Sequence, residues 1–210
     1  MTRFISDLIK TTPQIKRLQL CECGIGDEAL EILAEGIAQC PTLESIDLRH
    51  NLFDDDGFDS LLHAFQHTPN IRTFWIAGLH ITAKSARIFI DCIRNHVKEL
   101  RDVTLDSIDI EEHDHDYFLN VANSLVHVEN LDRISFCKTR MSSFKFPNFE
   151  VPKIIVNLVN YKQNLNSICL SHCGLSTDEI KVLCDGFGVE HNLNLMHIQE
   201  QEEEMRNAAL

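Results

Sequence analysis

The sequence has few prolines, no long apolar run and no excess of positive charge. Its 210 residues include five prolines and 24% charged residues, a composition that argues against disorder. A membrane-spanning helix needs about 20 apolar residues, so we expect no membrane insertion. The formal net charge is −13, so nucleic acids and anionic membranes are poor partners. A protein partner, basic or of no special charge, fits this composition better.

The spacing of a structural zinc site is also missing. The chain has eight cysteines, but no CxxC pair, in which two residues lie between two cysteines. The N-terminus, MTRFISDLIKTTPQ, has no long apolar run, so we expect no secretory signal peptide and a cytoplasmic protein. In a reducing compartment we expect buried thiols, no metal and no cofactor. The cysteines are Cys21, Cys23, Cys40, Cys92, Cys137, Cys169, Cys173 and Cys184.

A short apolar row recurs through the whole chain. Each row has three apolar residues, with two free positions after the first and one after the second, as in Leu43, Ile46 and Leu48. The rows begin at residues 15, 43, 71, 100, 131, 165 and 193, which are 28 to 34 residues apart. With 44% hydrophobic residues, the chain can bury these rows in one core. The near-constant spacing predicts an array of repeated units.

Each row is followed by a turn and then by a helical pattern. In the second unit, Phe58, Leu61, Leu62 and Phe65 have the i, i+3, i+4, i+7 spacing of one helix face. A period of two residues therefore gives way to a period of 3.6 residues inside the unit. This change predicts a short strand, a turn and a helix in every unit.

These units resemble leucine-rich repeats of the ribonuclease-inhibitor type, and the resemblance covers about Ile15 to Ile198. It implies an α/β fold: a right-handed solenoid in a horseshoe arc, with about seven strand–helix units. The parallel sheet is expected on the concave face and the helices on the convex face. The chain is then a single domain, residues 1–210, with a leading helix or cap at 1–14 and an acidic cap or tail at 199–210.

The turn after each row has a characteristic residue in this family, usually asparagine or cysteine, whose side chain bonds to neighbouring turns. The turns that fit this pattern have Cys23, Asn51 and Cys173. We expect the turns of the middle units to be less regular, because they have Leu79, Ile108 and Thr139 at this position.

The stretch NLFDDDGFDSLL, residues 51–62, is acidic enough to suggest a calcium loop. With Gly57 at the glycine position of an EF-hand, however, the first ligand position falls on Leu52, which has no side-chain oxygen. The repeat offers a different interpretation, in which DDDG begins a helix and its carboxylates lie in the first turn, where the helix dipole favours them. Ser176 and Glu179 have the spacing of a capping box. The predicted N-cap residues are Gly26, Asp54, Thr82 and Ser176.

Positions between the apolar residues of each row are expected to face the concave space. Trp75, the one tryptophan, falls at such a position. Tryptophan and arginine are enriched in binding hot spots, although Trp75 could also simply cover the flat surface of a strand. The residues of this face that we predict to bind a partner are Arg17, Gln19, Asp47, Arg49, Trp75, Thr104, Asp106 and Arg133.

Two units are lengthened by insertions, EEHDHD at 111–116 and SSFKFPNFEVP at 142–152, which we expect side by side on one rim. Phe144 and Phe146 could contact a partner, or their segment could fold back over the turns. Both interpretations stay open, and both residues are candidate binding residues. A metal at the histidines of the first insertion and a thiol nucleophile at Cys173 are weakly supported, so we expect no enzyme.

Fold alone does not determine function. The leading hypothesis is a non-enzymatic module that binds a protein partner through the concave face and the rim insertions. The repeats also resemble Ran GTPase-activating proteins, which implies a regulator of a small GTPase that supplies Arg49 or Arg140. They are similar as well to the repeats of the actin-capping tropomodulin type. A further alternative is a solitary repeat effector that an intracellular bacterium or protist delivers into the host cytosol. We expect a monomer, either complete or a piece of a larger receptor.

Overall fold

The computed structural model describes residues 2–12, 14–79, 82–108, 115–139, 150–162, 164–187 and 195–198. Helices and strands alternate along these ranges, so the expected α/β class is confirmed. None of the described helices is long and apolar enough to cross a membrane. The helices are α1 (Thr2–Thr11), α2 (Asp27–Ile37), α3 (Asp55–Ala64), α4 (Ala83–Asn95), α5 (His115–Ser124), α6 (Glu150–Tyr161) and α7 (Thr177–Gly186).

The strands of the described residues form one parallel sheet, in which neighbours in sequence are neighbours in space. The register repeats, since Arg17 pairs with Ser45, Ser45 with Thr73 and Thr73 with Asp102. Equivalent residues of successive units therefore lie in rows across the sheet, as expected for a leucine-rich-repeat-like fold. The strands are β1 (Arg17–Gln19), β2 (Ser45–Asp47), β3 (Thr73–Ala77), β4 (Asp102–Asp106), β5 (Arg133–Ser135), β6 (Ser167–Cys169) and β7 (Leu195–His197).

The core lies between the sheet and the helices. In the second unit, Leu43, Ile46 and Leu48 of the apolar row are buried together with Leu61 and Leu62 of α3. The residues that alternate with the row point to the other side of the sheet, because successive side chains of a strand face opposite ways. We call this side, which the helices leave uncovered, the open face.

Four phenylalanine rings pack in the core between the second and third units. Phe74 of β3 contacts Phe65 edge-on, with ring centroids 5.2 Å apart. Its centroid lies 6.3 Å from that of Phe58 and 6.4 Å from that of Phe89. Aromatic pairs of this kind contribute about 0.5–1.5 kcal/mol beyond their buried area. Phe74 thus fixes the helix side of β3, and the next residue, Trp75, faces the other way.

The side chain of Asn51 joins the turn of its own unit to the preceding turn. Its Nδ2 donates to the carbonyl oxygens of Leu20 and Leu48, both at 2.8 Å. Its Oδ1 accepts from the amides of Cys23 and Ile25 at 3.1 and 3.0 Å. One amide group therefore satisfies four backbone groups that the turns would otherwise leave unpaired.

Thr139 makes equivalent bonds between the fourth and fifth units. Its hydroxyl donates to the carbonyl oxygen of Leu105 at 3.3 Å and accepts from the amide of Ile108 at 3.1 Å. In the sixth unit the Cys173 thiol donates to the Phe136 carbonyl oxygen at 3.1 Å. The expectation that Thr139 departs from the turn pattern is wrong, because a hydroxyl can donate and accept as an asparagine side chain does.

The DDDG run begins α3, with Asp54 as the N-cap residue, so the helix-start interpretation is confirmed. The carboxylate that caps the helix belongs to Asp27 in the first turn of α2. Its Oδ1 accepts from the amides of Asp54 and Gly57 at 2.8 and 2.9 Å. A Cβ atom on Gly57 would lie 2.7 Å from that oxygen, so the close approach of α2 requires glycine here. The other predicted N-caps are also confirmed, at Gly26, Thr82 and Ser176, the last in a capping box with Glu179.

Both insertions end inside helices, so they are shorter than the sequence suggested. His115 and Asp116 belong to α5, and residues 150–152 belong to α6. Pro152 is compatible with helix because it lies in the first turn, where backbone amides have no intrahelical partner. Residues 109–114, residues 140–149 with Phe144 and Phe146, and the tail 199–210 lie outside the described residues.

Helix α1 covers the first unit with one side only. Ile9 is buried, and the Ser6 hydroxyl donates to the Ile32 carbonyl oxygen at 2.7 Å. Phe4 and Leu8 are 72% and 47% exposed, so these two side chains do not cover the first unit. Residues four apart share one helix face, and this face points away from α2.

Candidate protein-binding surface

Side chains on the open face meet along a recurring diagonal. Each strand region has three open-face positions two residues apart, such as Ser45, Asp47 and Arg49 in the second unit. The third position of one unit can reach the second position of the next, which is a diagonal neighbour across the two strands. The pairs in contact are Arg49 with Trp75, Asp106 with Ser135, and Cys137 with Cys169.

Asp47 and Arg49 form a two-point ion pair at the start of this diagonal. The Arg49 Nε donates to Oδ1 of Asp47 at 2.9 Å, and Nη2 donates to Oδ2 at 2.8 Å. Burial alone would raise the pKa of Asp47, but the hydrogen bonds from Arg49 outweigh it and hold this pKa below its usual value. The paired geometry also fixes the orientation of the guanidinium group.

Trp75 is half-buried, whereas Phe74 and Ile76 on either side of it are buried in the core. The Arg49 guanidinium carbon lies 4.8 Å from the centre of the indole ring, within the range of a cation–π contact. The indole Nε1 donates to Oδ1 of Asp102 at 3.0 Å. The ring is therefore held at its face and at its edge.

Asp102 connects Trp75 to Arg133, whose Nη1 lies 3.7 Å from the Asp102 Oδ2. Burial raises the pKa of Asp102, and the Trp75 hydrogen bond and the charge of Arg133 offset this only in part. Arg133 itself is exposed, so its guanidinium group lies at the surface near Asp102. We call the set of Asp47, Arg49, Trp75, Asp102 and Arg133 the Trp75 cluster.

Asp106 lies at the far end of β4 from Asp102, on the same face. Its Oδ1 accepts from the Ser135 hydroxyl at 2.6 Å and from the Cys137 amide at 2.8 Å. Burial raises the pKa of Asp106 despite both hydrogen bonds. The charge of Arg49 also acts on Asp106, so this carboxylate is electrostatically linked to the Trp75 cluster.

The predicted binding residues divide into two groups. The structure brings Asp47, Arg49, Trp75 and Arg133 into one cluster, with Asp106 beside it. Arg17 and Gln19 are exposed on β1, at the edge of the sheet. They are separated from Trp75 by strand β2.

Two of the predicted contact residues are buried. Asp47 is 4% exposed because it lies against Arg49, and Thr104 is 7% exposed between its register partners Trp75 and Ser135. Alternation along a strand predicts the face of a residue, but larger neighbours on that face can still cover it. The expectation that these two residues contact a partner stays a prediction, although both are covered by their neighbours.

Asp102, which accepts from the indole nitrogen of Trp75, is not among the residues predicted to bind a partner. The signal that finds it is the repeat register. Thr104 is the register partner of Trp75, so Asp102, two residues earlier, is a diagonal neighbour of the indole.

The expectation of buried thiols holds for only part of the cysteines. Cys137 and Cys169 are joined in a disulfide bond, and Cys23 and Cys184 are exposed. Burial raises the pKa values of Cys92 and Cys173 to about 12, so both thiols stay protonated near neutral pH. Cys173 thus acts as a hydrogen-bond donor in its turn. Among the described side chains, no group of three or more His, Cys, Asp or Glu residues is arranged to hold a metal ion.

Solved structures with a similar fold exist, although neither a protein-family model nor a curated protein matches the chain. The actin-binding site 2 of leiomodin-1 is similar with a TM-score of 0.59 and 13% sequence identity. That match covers 75% of this chain and 87% of the leiomodin-1 structure. A Bacteroides fragilis protein solved by a structural genomics consortium matches with a TM-score of 0.43 and 13% identity, over 95% of this chain and 71% of that one. At this identity the leiomodin-1 match shows a shared fold.

Proposed function

We propose that this chain is a non-enzymatic protein-binding module whose partner contacts the open face, with the Trp75 cluster as the anchor. The observation that carries the proposal is the indole of Trp75, held by Arg49 at its face and by Asp102 at its nitrogen. Tryptophan and arginine are the residues most enriched in binding hot spots. Side chains that are already ordered lose little conformational entropy on binding, which favours affinity.

The finer fold assignment is part of this proposal. Units of one strand and one helix that start 28 to 34 residues apart support the ribonuclease-inhibitor type of leucine-rich repeat. Parallel strands joined by helices favour right-handed connections. Strands of successive units lie closer together than their helices, so the array curves and the open face becomes the concave side of an arc.

The protein acts as a monomer in the cytosol, which is the host cytosol if the chain is a delivered effector.

The arrangement of the arginines supports regulation of a small GTPase less well than it supports a general protein-binding surface. An arginine supplied in trans must extend into the active site of the GTPase. The guanidinium group of Arg49 instead donates to Asp47 and stacks on Trp75. Arg140, the other candidate, lies outside the described residues. The geometry favours Arg49 as part of a binding anchor.

The second candidate function is binding of actin, which names a specific protein partner for the open face. The fold is similar to the actin-binding site 2 of leiomodin-1 over most of that structure. The resemblance of the repeats to the actin-capping tropomodulin type points in the same direction. Actin is therefore the first purified protein to test against the open face.

The test compares the wild-type chain with Trp75→Ala and with Tyr161→Ala as a matched control. Tyr161 is 77% exposed at the end of α6, so its removal deletes an aromatic side chain on the helix side. Each protein is immobilised and offered monomeric actin, filamentous actin and a cytosolic lysate, after circular dichroism has shown that all three are folded. We expect Trp75→Ala to weaken retention of the partner about tenfold or more, and Tyr161→Ala to leave it unchanged. A partner retained equally by all three proteins would place binding outside the open face.

A further inference from the structure

Cys137 and Cys169 occupy the same diagonal on which the other contacts of the open face form. Cys137 is the third open-face residue of the fifth unit, and Cys169 is the second of the sixth. The equivalent pairs one and three units earlier are Asp106 with Ser135, at 2.6 Å, and Arg49 with Trp75, at 4.8 Å. The sheet thus brings two thiols together by the geometry that pairs other side chains elsewhere.

The backbone holds these two residues in place without help from the sulfur atoms. The amide of Phe136 donates to the Cys169 carbonyl oxygen at 3.0 Å, and the amide of Lys138 donates to that of Ser171 at 2.8 Å. The Cα atoms of Cys137 and Cys169 are 5.9 Å apart, a usual separation for a disulfide. The sulfur–sulfur bond can therefore open and close with the strands in place.

Both cysteines are accessible on the open face. Each is half-buried, whereas Cys173 in the adjoining turn is fully buried. The Ser135 hydroxyl lies 3.2 Å from the Cys137 sulfur, and the Ser171 hydroxyl lies 3.5 Å from the Cys169 sulfur. Each sulfur atom thus has a small polar side chain as a neighbour.

We propose that Cys137 and Cys169 are a reversible dithiol–disulfide site on the open face, oxidised by a low-molecular-weight disulfide such as glutathione disulfide. The site does not depend on the identity of the protein partner. It adds a covalent modification to the surface that carries the Trp75 cluster. Asp106 connects the two regions, because it accepts from the Cys137 amide and interacts with the charge of Arg49.

The reaction consists of two exchanges. The Cys169 thiolate attacks one sulfur of glutathione disulfide, forms a mixed disulfide and releases one glutathione. The Cys137 thiolate then attacks the Cys169 sulfur, forms the Cys137–Cys169 bond and releases the second glutathione. Two protein thiols lose two electrons and two protons, and glutathione disulfide gains both to become two glutathione thiols. An excess of glutathione reverses each exchange.

The order of attack follows from the position of Asp106. Its carboxylate is hydrogen-bonded to the Cys137 amide and to Ser135 beside the Cys137 sulfur. A negative charge at this position disfavours a second one on the nearby Cys137 sulfur. Cys169 lies one strand further away and is the first nucleophile.

A glutathione redox titration of the full chain tests the proposal. The protein is equilibrated at graded ratios of glutathione to its disulfide, quenched in acid, labelled with a maleimide and measured by intact mass and peptide mapping. We expect two of the eight thiols to disappear together, to map to Cys137 and Cys169, and to return when reduced glutathione is added in excess. A pair that stays reduced at every ratio, or that maps to other cysteines, would overturn the proposal. So would a bond that persists in the folded protein under excess glutathione.

Single variants test the assignment of the first nucleophile. Cys137→Ser should acquire a glutathione adduct on Cys169 faster than Cys169→Ser acquires one on Cys137. Asp106→Asn in the Cys169→Ser background should speed the reaction of Cys137. Cys23→Ser is the matched control, because it removes an exposed thiol elsewhere and should leave the titration of the pair unchanged. Faster modification of Cys137 than of Cys169 would overturn the assigned order.

Discussion

The guanidinium group of Arg49 lies over the ring of Trp75, 4.8 Å from its centre, while its nitrogens donate to the buried carboxylate of Asp47. One side chain thus joins an ion pair to an aromatic ring. All of these contacts lie within the chain itself. A partner that contacts the indole therefore meets a surface that is already ordered.

The first prediction concerns the energy that couples Arg49 to Trp75. In a double-mutant cycle of Arg49→Ala and Trp75→Ala, we expect a coupling energy of about 0.5–1 kcal/mol, as for a partly exposed cation–π contact. Loss of the Asp47 ion pair occurs in both Arg49 variants and cancels in the cycle. Urea unfolding of the four proteins provides the free energies. A coupling of zero within error would show that the contact does not stabilise the fold.

The second prediction contrasts two adjacent residues on opposite faces of β3. Phe74 is buried among Phe58, Phe65 and Phe89, so Phe74→Ala should lower the free energy of unfolding by about 3–5 kcal/mol. Trp75→Ala should lower it by about 1–2 kcal/mol, since it removes one hydrogen bond and one cation–π contact. Chemical denaturation measures both values. A larger loss for Trp75 than for Phe74 would contradict the assignment of the two faces.

Features that depend on the pattern within one unit could be predicted from the sequence. Alternation places Phe74 and Trp75 on opposite faces, and the spacing of Ser176 and Glu179 predicts the capping box of α7. These features involve residues that are neighbours in the chain, so local geometry determines them.

Features that join two units could not be predicted from alternation alone. Asp27 caps the neighbouring helix α3, and Cys137 is bonded to Cys169, 32 residues away. Both contacts depend on the register between units, and the disulfide bond also depends on the diagonal that side chains follow across the strands. A search for two cysteines with two residues between them, the spacing of a zinc site, does not detect this disulfide-bonded pair.

The third prediction concerns the turn that Asn51 closes. Asn51→Ala removes four hydrogen bonds to the backbone, three of them half-buried, and should lower the free energy of unfolding by about 2–4 kcal/mol. Asn95→Ala is the control, because Asn95 is exposed at the end of α4. This substitution should change the free energy of unfolding by about 0.5 kcal/mol or less. Equal effects of the two substitutions, measured by thermal and urea unfolding, would contradict the role of the turn.

The fourth prediction concerns capping between helices. Asp27→Ala removes the carboxylate that accepts from the amides of Asp54 and Gly57, and should destabilise the protein by about 1 kcal/mol. Glu28→Ala, an exposed change in the same turn of α2, should have a smaller effect. Urea unfolding compares the two variants, and amide hydrogen exchange at Asp54 and Gly57 should be faster only in Asp27→Ala. Unchanged exchange at these amides would contradict capping by Asp27.

Two carboxylates on the open face have pKa values shifted in opposite directions. The bonds from Arg49 lower the pKa of Asp47, so its ionised form stabilises the folded state. That contribution is present above the unfolded-state pKa, about 3.9, and is lost as the pH falls through the lower folded-state value. Burial raises the pKa of Asp106, so its contribution is present below about 3.9 and is lost as the pH rises through the higher folded-state value.

The fifth prediction follows from these opposite signs. On acidification from pH 7 to about 4, the wild type should gain stability relative to Asp106→Asn, because Asp106 takes up its proton in this range and its buried charge is neutralised. Over the same range the difference between the wild type and Asp47→Asn should stay constant, and it should shrink only below about pH 4. Urea unfolding at half-unit pH steps measures both differences, and the Asn side chains, which do not titrate, are the reference. Parallel pH profiles for the two variants would contradict the opposite directions of the two pKa shifts.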